Sequence, residues 1–139
     1  MSSNEHPIKE ALANSEIVVD RDTIHDGISR IAREIARDYG DEVPVMMTVL
    51  HGGLPFAAFL SMAIGDEGLT LAAIRDWCLE QGAKDVRIAA LSVKQHDRAI
   101  PGLTADYVAV EVPDRYVFGF GMDYYEQGRN LPDIWALKL

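Results

Sequence analysis

The sequence predicts an α/β domain in which a mainly parallel sheet is flanked by helices. Two nearly continuous apolar runs, residues 45–50 and 86–93, have the pattern of strands buried on both faces of a sheet. Around them, apolar residues recur at three- and four-residue steps, which is the period of amphipathic helices. With 139 residues and 48% hydrophobic content, the chain can build one packed core, so a single domain over residues 1–139 is expected.

The amino-terminal part predicts a short helix, a strand and a longer surface helix. A helical segment is expected around residues 8–12, and a β-prone run follows at 16–19. From Arg21 to Tyr39 one apolar stripe faces inward, and Gly40 ends the helix. His25 lies beside that stripe without a second histidine at ligand spacing, so we interpret it as a surface or packing residue, not as a metal ligand.

The run 45–50, expected to be a central parallel strand, leads into the turn His51-Gly52-Gly53. A helical pattern over residues 54–64 follows, with proline in its first turn. Proline is tolerated there because an N–H group in the first turn has no acceptor within the helix. Strand, glycine turn and helix together form a backbone cradle that suits an anion. A glycine pair that only turns the chain, with His51 as a polar loop residue, explains the same pattern.

Residues 65–70, Gly-Asp-Glu-Gly-Leu-Thr, form a second candidate cradle ahead of an apolar helical run. Thr70 is expected to cap that helix, and Gly68 lets the backbone approach a ligand closely, so free amides can bind a phosphate. An ordinary helix start, in which Asp66 and Glu67 only favour the helix dipole, is the alternative.

The next helix is expected to stop before Gly82, and the buried strand 86–93 then leads to Lys94. Ligands of open α/β sheets bind at the carboxyl edge of the strands, where Lys94 would stand, although a solvated surface lysine is the common alternative. Cys78 is the single cysteine, which excludes an internal disulfide. Its place in the helical pattern beside Trp77 favours a small buried hydrophobe over a nucleophile.

The last third of the chain predicts shorter strands and a glycine- and aromatic-rich segment. Two β-prone runs, residues 107–110 and 116–119, flank a turn at Pro113-Asp114, and another apolar run covers 134–137. Between them, aromatic residues stand beside glycines, one acid and Arg129. Such a segment suits either core packing or a pocket for a flat heteroaromatic ring with a phosphate nearby.

Composition limits the classes of function. Acidic residues outnumber basic ones by 22 to 13, and the net charge of −9 argues against a broad nucleic-acid-binding face. No apolar run approaches membrane-spanning length, and the first residues lack the features of a signal peptide. A cytoplasmic protein without membrane or nucleic-acid partners is therefore expected.

Several motifs together resemble the bacterial hypoxanthine-guanine phosphoribosyltransferases, which are type I phosphoribosyltransferases. The resemblance covers nearly the whole chain, and its most specific part runs from residue 112 to residue 132. The motifs are Val-Leu-His-Gly-Gly at 49–53, Asp-Glu-Gly-Leu-Thr-Leu at 66–71, Lys94, Val-Pro-Asp-Arg-Tyr-Val-Phe-Gly-Phe-Gly-Met-Asp-Tyr at 112–124 and Arg-Asn-Leu-Pro at 129–132.

The resemblance implies a purine-salvage reaction. Enzymes of this family move the phosphoribosyl group of phosphoribosyl pyrophosphate to a 6-oxopurine, with Mg²⁺, and release pyrophosphate. Asp66 would be the catalytic acid beside purine N7, and Asp123 would reach the metal through water. The implied binding residues are His51, Gly52, Gly53 and Arg129 for pyrophosphate; Asp66, Glu67, Gly68, Leu69 and Thr70 for the 5-phosphate; and Lys94, Tyr116 and Val117 for the purine.

The chain departs from the family pattern immediately before Asp66. Family members carry further strands, a mobile loop and an acidic strand end there, whereas Ile64-Gly65 runs directly into Asp66 in this sequence. The missing strand would leave a gap or exposed edges in the sheet, so a homo-oligomer, either a dimer or a tetramer, is expected. Beside the enzyme, a catalytically impaired nucleotide-binding or assembly domain stays open as an alternative function.

Overall fold

The computed structural model describes residues 7–42, 45, 47, 53, 69–94 and 104–139. Three helices and five strands lie in these ranges, at or near the predicted positions. In chain order they are α1 (Pro7–Ala13), β1 (Ser15–Val19), α2 (Arg21–Tyr39), α3 (Leu69–Glu80), β2 (Ala89–Lys94), β3 (Tyr107–Val112), β4 (Val117–Phe118) and β5 (Ile134–Leu137).

Helix α2 confirms the prediction at both ends because its boundaries are encoded locally. Asp20 has an extended backbone, and its carboxylate accepts a hydrogen bond from the Thr23 amide at 2.8 Å, which caps the first turn. That hydrogen bond is the largest cause of the lowered pKa of Asp20. At the other end, Gly40 takes a φ of 56°, and its amide donates to the Ala36 carbonyl at 3.0 Å.

The buried side of α2 packs closely on strand β3. A side chain at Gly27 would overlap the Ala109 carbonyl, so only glycine permits this approach of helix to strand. One turn further along, the Arg30 guanidinium donates to the carbonyls of Val108 and Ala109 at 2.8 and 2.9 Å. These contacts fix the position of the helix on the strand that leads to the predicted purine-binding residues.

Strands β2 and β3 pair in parallel, as the predicted sheet requires. The register pairs Ala89 with Tyr107 at one end and Lys94 with Val112 at the other. Three of the six residues of β2 and four of the six residues of β3 are buried. Both strands therefore end at the same edge, where ligands bind in open α/β sheets.

The remaining strands form a second, antiparallel sheet in the order β1-β5-β4. The sequence predicts β-prone runs at β1 and β4 and an apolar run at β5, but it does not predict that the first strand pairs with the last. β1 and β5 are adjacent in space although more than a hundred residues separate them, with Ser15 opposite Leu137. Pairing at such a distance leaves no local signal in the sequence, because the register depends on how the intervening chain folds.

The core joins the two sheets and helix α2. Its fully buried large side chains come from α2, β2, β3, β4 and β5, and all of them except Phe118 of β4 belong to one hydrophobic cluster in the described part of the chain, against which Val117 of β4 packs. They are Ile24, Ile31, Leu91, Val112, Phe118 and Ile134. His25 packs its ring edge-on against Phe120 with centroids 6.0 Å apart, which confirms a packing role for this histidine.

A polar network connects the end of α2 with the start of the parallel pair. The Tyr107 hydroxyl donates to Asp38 Oδ2 at 3.0 Å and accepts from Arg87 Nη1 at 2.8 Å. Arg87 Nη1 also lies 3.1 Å from Asp38 Oδ2, and its Nε lies 2.8 Å from Asp85 Oδ2. The network stands at the amino edge of β2 and β3, opposite the edge where Lys94 lies.

The predicted central strand and the predicted burial of Cys78 differ from the structure. Val45 and Met47, the described residues of the expected central strand, lie in no regular element and are 92% and 56% exposed, so the predicted buried strand is wrong at these positions. Residues 46 and 48–50, like the helical pattern 54–64, lie outside the described residues. In α3, Trp77 is 55% exposed, while Cys78 is half-buried with its Sγ 3.8 Å from Met47 Sδ.

No helix in the described ranges is long and apolar enough to cross a membrane.

Candidate functional site

The carboxyl edge of the parallel pair carries the first group of predicted site residues. Lys94 is the last residue of β2, is exposed, and is the register partner of Val112 at the end of β3. The chain then bends through Pro113 and Asp114, and the Arg115 amide donates to the Pro113 carbonyl at 2.8 Å. The predicted turn is confirmed, and it brings the chain from the edge beside Lys94 into β4.

Arg115 anchors this turn to the amino-terminal strand. Its Nη2 lies 2.7 Å from Glu16 Oε1, although strand and turn are 99 residues apart in sequence. The arginine side chain is only 16% exposed. The arginine side of this ion pair is therefore largely shielded from water. The ion pair holds the turn in place, and it thereby also holds the following residue, Tyr116.

Tyr116 presents a half-exposed ring at the start of β4. Half of the residue is accessible, and its hydroxyl donates to the Asp123 main-chain carbonyl at 3.1 Å. Partial burial, reinforced by the negative charge of Asp123, raises the pKa of the Tyr116 phenol, which therefore stays protonated as a hydrogen-bond donor at neutral pH. A half-exposed ring that is held by its hydroxyl suits stacking of a planar base.

Val117 exposes backbone groups on the outer edge of β4. Its register partner is Ala136, while the neighbouring Tyr116 carbonyl accepts from the Leu137 amide at 3.1 Å. Hydrogen bonding alternates along an antiparallel strand, so the Val117 amide and carbonyl point away from β5. Among the described strands none pairs with that edge of β4, which leaves these groups available to a ligand.

Two tight turns follow β4, and the first is centred on Phe120 and Gly121. Gly119 and Met122 exchange reciprocal backbone hydrogen bonds of 2.9 and 3.1 Å around them. Both central residues have positive φ, 48° at Phe120 and 99° at Gly121, which is the conformation of a two-residue hairpin turn. A side chain at Gly119 would overlap the Asp133 carbonyl, so glycine is required there as well.

The second turn is centred on Tyr125 and Glu126. Tyr124 and Gln127 exchange backbone hydrogen bonds of 2.8 and 3.0 Å, and φ is 47° at Tyr125 and 63° at Glu126. Neither central residue is glycine, so this backbone conformation has an energetic cost. The turn sets the Tyr124 ring edge-on against the Tyr116 ring, with centroids 5.6 Å apart.

Asp123 and Arg129 meet across the second turn. Asp123 Oδ1 lies 2.8 Å from Arg129 Nη2, and Asp123 Oδ2 accepts from the Glu126 amide at 2.8 Å. Arg129 Nη1 donates in addition to the Gly121 carbonyl at 2.8 Å. The residues that resemblance assigns to metal and to pyrophosphate are thus in direct contact, with about a third of each side chain exposed.

The described end of the predicted 5-phosphate loop lies at the start of α3. Leu69 and Thr70 are the first two residues of this helix, so the prediction that Thr70 caps it is wrong. The helix begins earlier than its apolar periodicity indicated. Both backbone amides nevertheless belong to the first turn, where N–H groups have no partner within the helix and can bind an anion.

Five of the predicted site residues lie outside the described ranges: His51, Gly52, Asp66, Glu67 and Gly68. Gly53 is described and is a buried turn residue. The structure therefore brings together Tyr116, Val117, Asp123 and Arg129, and places Lys94 at the edge that leads to them.

Sequence reasoning did not select Gly121, Tyr124 or Glu126 as site residues. Gly121 and Glu126 contact the Asp123–Arg129 pair through backbone atoms, which leave no side-chain pattern to recognise. Nothing in the sequence indicated that Tyr125 and Glu126 would adopt positive φ.

A separate open groove of about 400 Å³ lies between β1, the start of α2 and β3. None of the predicted site residues lines it. Its charged lining residues are Asp20 and Glu111, which makes it unsuited to a phosphate.

The chain is similar to known hypoxanthine-guanine phosphoribosyltransferases, although no family model matches it. The enzyme of that name from Streptococcus pneumoniae is 26% identical in an alignment that covers 88% of this chain and 93% of the relative. The alignment runs over 168 residues, more than the 139 of this chain, so the relative contains residues without a counterpart here. This agrees with the predicted absence of an internal segment.

Solved structures show the same fold. A hypoxanthine-guanine phosphoribosyltransferase from Bacillus anthracis has a TM-score of 0.78 at 25% identity, with 90% of this chain and 100% of that chain covered. The hypoxanthine phosphoribosyltransferase from Trypanosoma cruzi, solved with the product IMP, has a TM-score of 0.77 at 24% identity, with 88% of this chain and 89% of that chain covered. The predicted type I phosphoribosyltransferase fold is confirmed.

Proposed function

We propose that this chain, a homologue of the hypoxanthine-guanine phosphoribosyltransferases that shares their fold, is a purine-salvage phosphoribosyltransferase. It would transfer the phosphoribosyl group of phosphoribosyl pyrophosphate to hypoxanthine or guanine, forming the nucleoside monophosphate and pyrophosphate. The observation that carries the proposal is the continuous path from the Lys94–Val112 edge through Tyr116 and Val117 to Arg129. An exposed lysine, a half-exposed tyrosine ring and a partly exposed guanidinium lie along it, and these groups suit a planar base and an anion.

The purine would bind between the edge of the parallel pair and β4. Lys94 would donate to the 6-oxo oxygen, Tyr116 would stack on the ring, and Val117 would offer its outward backbone groups to the purine edge. The exposure of Lys94, the half-exposed ring of Tyr116 and the unpaired edge of β4 in the described sheet support these roles.

The phosphates would bind at two places. Gly68, Leu69 and Thr70, with the neighbouring Asp66 and Glu67, would hold the 5-phosphate at the start of α3, since first-turn amides are free donors there. His51, Gly52, Gly53 and Arg129 would bind pyrophosphate. Negative charge grows on the leaving pyrophosphate during the transfer, so a fixed guanidinium favours the transition state over the ground state. Asp66 would handle the proton at purine N7.

Magnesium is the cofactor that we propose for this reaction. In the described ranges no three His, Cys, Asp or Glu side chains are grouped as a metal site, so a cage built by the protein alone is not supported there. Asp123 fits a water-mediated contact, because each carboxylate oxygen makes one contact and keeps a further acceptor position. A metal held mainly by substrate phosphates and one such carboxylate is the usual magnesium arrangement. When bound, it would neutralise the charge of the pyrophosphate.

The alternative of a catalytically impaired binding or assembly domain is not favoured, because the similar proteins are themselves named as phosphoribosyltransferases. We keep a homo-oligomer, a cytoplasmic location and one domain over residues 1–139 as parts of the proposal. The excess of acidic residues continues to argue against nucleic acid as a partner.

The test is product formation from a series of bases. The purified chain is incubated with phosphoribosyl pyrophosphate, Mg²⁺ and either hypoxanthine, guanine or adenine, with EDTA in parallel. We expect the monophosphates of the two 6-oxopurines, no product from adenine, and no product with EDTA. Binding of inosine monophosphate without turnover on any base would favour the impaired domain instead.

A further inference from the structure

Asp123 contacts three other parts of the carboxyl-terminal segment at once. Its main-chain carbonyl accepts the Tyr116 hydroxyl at 3.1 Å, its Oδ1 lies 2.8 Å from Arg129 Nη2, and its Oδ2 accepts the Glu126 amide at 2.8 Å. No hydrogen bond or ion pair joins Tyr116 directly to Arg129 within the described part of the chain. The connection between these two residues therefore runs through Asp123.

Arg129 is oriented from two sides. Its Nη1 donates to the Gly121 carbonyl while its Nη2 faces Asp123, and its own carbonyl accepts from the Gly121 amide at 2.8 Å. These contacts use only part of the donors of the guanidinium, and the rest remain for an anion. An exposed ion pair adds little to stability, so the effect of Asp123 on Arg129 is one of orientation.

The turn at Tyr125 and Glu126 depends on the same carboxylate. Positive φ at two residues that are not glycine is unfavourable, and the hydrogen bond from the Glu126 amide to Asp123 helps to hold that backbone. This turn also places the ring of Tyr124 edge-on against the ring of Tyr116. Asp123 thus supports both the base-stacking ring and the arginine.

We propose that Asp123 is a positioning residue that couples the purine side of the site, at Tyr116, to the pyrophosphate side, at Arg129. The inference rests on the proposed function for the identity of the two ligands. It assigns Asp123 a role that needs no metal, in addition to the water-mediated contact considered above. Its consequence is that a change at the purine side alters the binding of pyrophosphate.

The first experiment needs no ligand. The Nε–H signal of Arg129 is identified by its loss in Arg129→Lys, and its order parameter is measured by NMR in the full chain. We expect an ordered signal that becomes mobile in Asp123→Asn and also in Tyr116→Phe, which removes only the hydroxyl. An order parameter that stays unchanged in either variant would overturn the coupling. Glu34→Gln, which breaks the exposed pair with Arg30 elsewhere, is the matched control.

The second experiment measures pyrophosphate binding by calorimetry, with Mg²⁺ and with EDTA. Positioning predicts that Asp123→Asn weakens binding about tenfold under both conditions, and that Tyr116→Phe weakens it about threefold. Tighter binding in Asp123→Asn, as removal of a repelling charge would give, contradicts the proposal, and so does a loss seen only with Mg²⁺. If the unmodified chain binds neither pyrophosphate nor inosine monophosphate, the proposed function fails, while the NMR measurement still decides the coupling.

Discussion

Lys94 and Val112 are register partners at the shared end of two parallel strands, and the chain that leaves Val112 reaches Tyr116 within one turn. The lysine and the half-exposed tyrosine ring thereby belong to one edge of the fold. Neither residue requires a long loop to reach that edge, because β2 and β3 position both.

Lys94→Ala tests the base-binding role of this edge. We expect the KM for hypoxanthine to rise about tenfold, because a charged donor to the 6-oxo oxygen is lost, while the KM for phosphoribosyl pyrophosphate stays within about twofold. Steady-state kinetics with each substrate varied in turn provide the measurement. Lys84→Ala, at an exposed lysine before β2, should change neither constant, and equal losses for both substrates in Lys94→Ala would refute the assignment.

Asp66→Asn tests the proposed acid at purine N7. If the carboxyl group takes part in proton movement, kcat should fall about 100-fold while the affinity for inosine monophosphate changes little. Single-turnover kinetics and calorimetry give the two quantities. Asp76→Asn, which removes an exposed acid from α3, is the control. If Asp66→Asn binds inosine monophosphate more weakly but keeps the kcat of the parent chain, Asp66 acts in binding and not in proton transfer.

Gly27→Ala tests the close packing of α2 on β3. The added Cβ would overlap the Ala109 carbonyl, so we expect the free energy of unfolding to fall by about 1–3 kcal/mol despite the better helix propensity of alanine. Urea denaturation measures the change. Ser29→Ala, on the exposed face of the same helix, is the control and should leave the free energy of unfolding unchanged or slightly higher. A Gly27→Ala variant as stable as the parent chain would show that the helix can move away from the strand without loss of stability.

Tyr107→Phe tests the network at the amino edge through its pH dependence. The hydrogen bond from Tyr107, followed by one from Arg37, holds the pKa of Asp38 below its usual 3.8. A carboxylate with a lowered folded pKa contributes stability that is present above the unfolded pKa and is lost as the pH falls through the folded one. We therefore expect Tyr107→Phe to be less stable than the parent chain near neutral pH.

The difference in the free energy of unfolding between the parent chain and Tyr107→Phe should become smaller as the pH falls below the ordinary pKa of Asp38. Denaturant unfolding at about pH 7 and about pH 2.5 measures it, with the exposed Tyr125→Phe as the control. A destabilisation of the same size at both pH values would mean that the lost hydroxyl acts by packing and not through Asp38.

The predictable parts of this fold are those with local signals. Helix α2 was predicted with its bounds because the apolar stripe from Arg21 to Tyr39 and the following Gly40 are local signals, although the Asp20 cap was not predicted. The position of Lys94 followed from the buried strand before it. Pairing of β1 with β5 was not predictable, since it joins the two ends of the chain.

The site was predictable in composition but not in geometry. Asp123 and Arg129 were both selected through the resemblance, yet their contact depends on positive φ at Tyr125 and Glu126. Neither of these residues is glycine, so the sequence does not indicate this backbone conformation. The helix after the phosphate loop was predicted, but Thr70 proved to be inside it and not its cap. Backbone conformation at turns, set by surrounding contacts, accounts for these differences.

The most direct test of the proposed function is whether the chain makes nucleotide and pyrophosphate together. Hypoxanthine, phosphoribosyl pyrophosphate and Mg²⁺ are incubated with the purified chain, and inosine monophosphate and pyrophosphate are quantified in the same samples over time. We expect both products to appear in equal amounts, and we expect Lys94→Ala to slow the formation of both equally at low hypoxanthine concentration. Pyrophosphate released without inosine monophosphate, or neither product at any enzyme concentration, would contradict it.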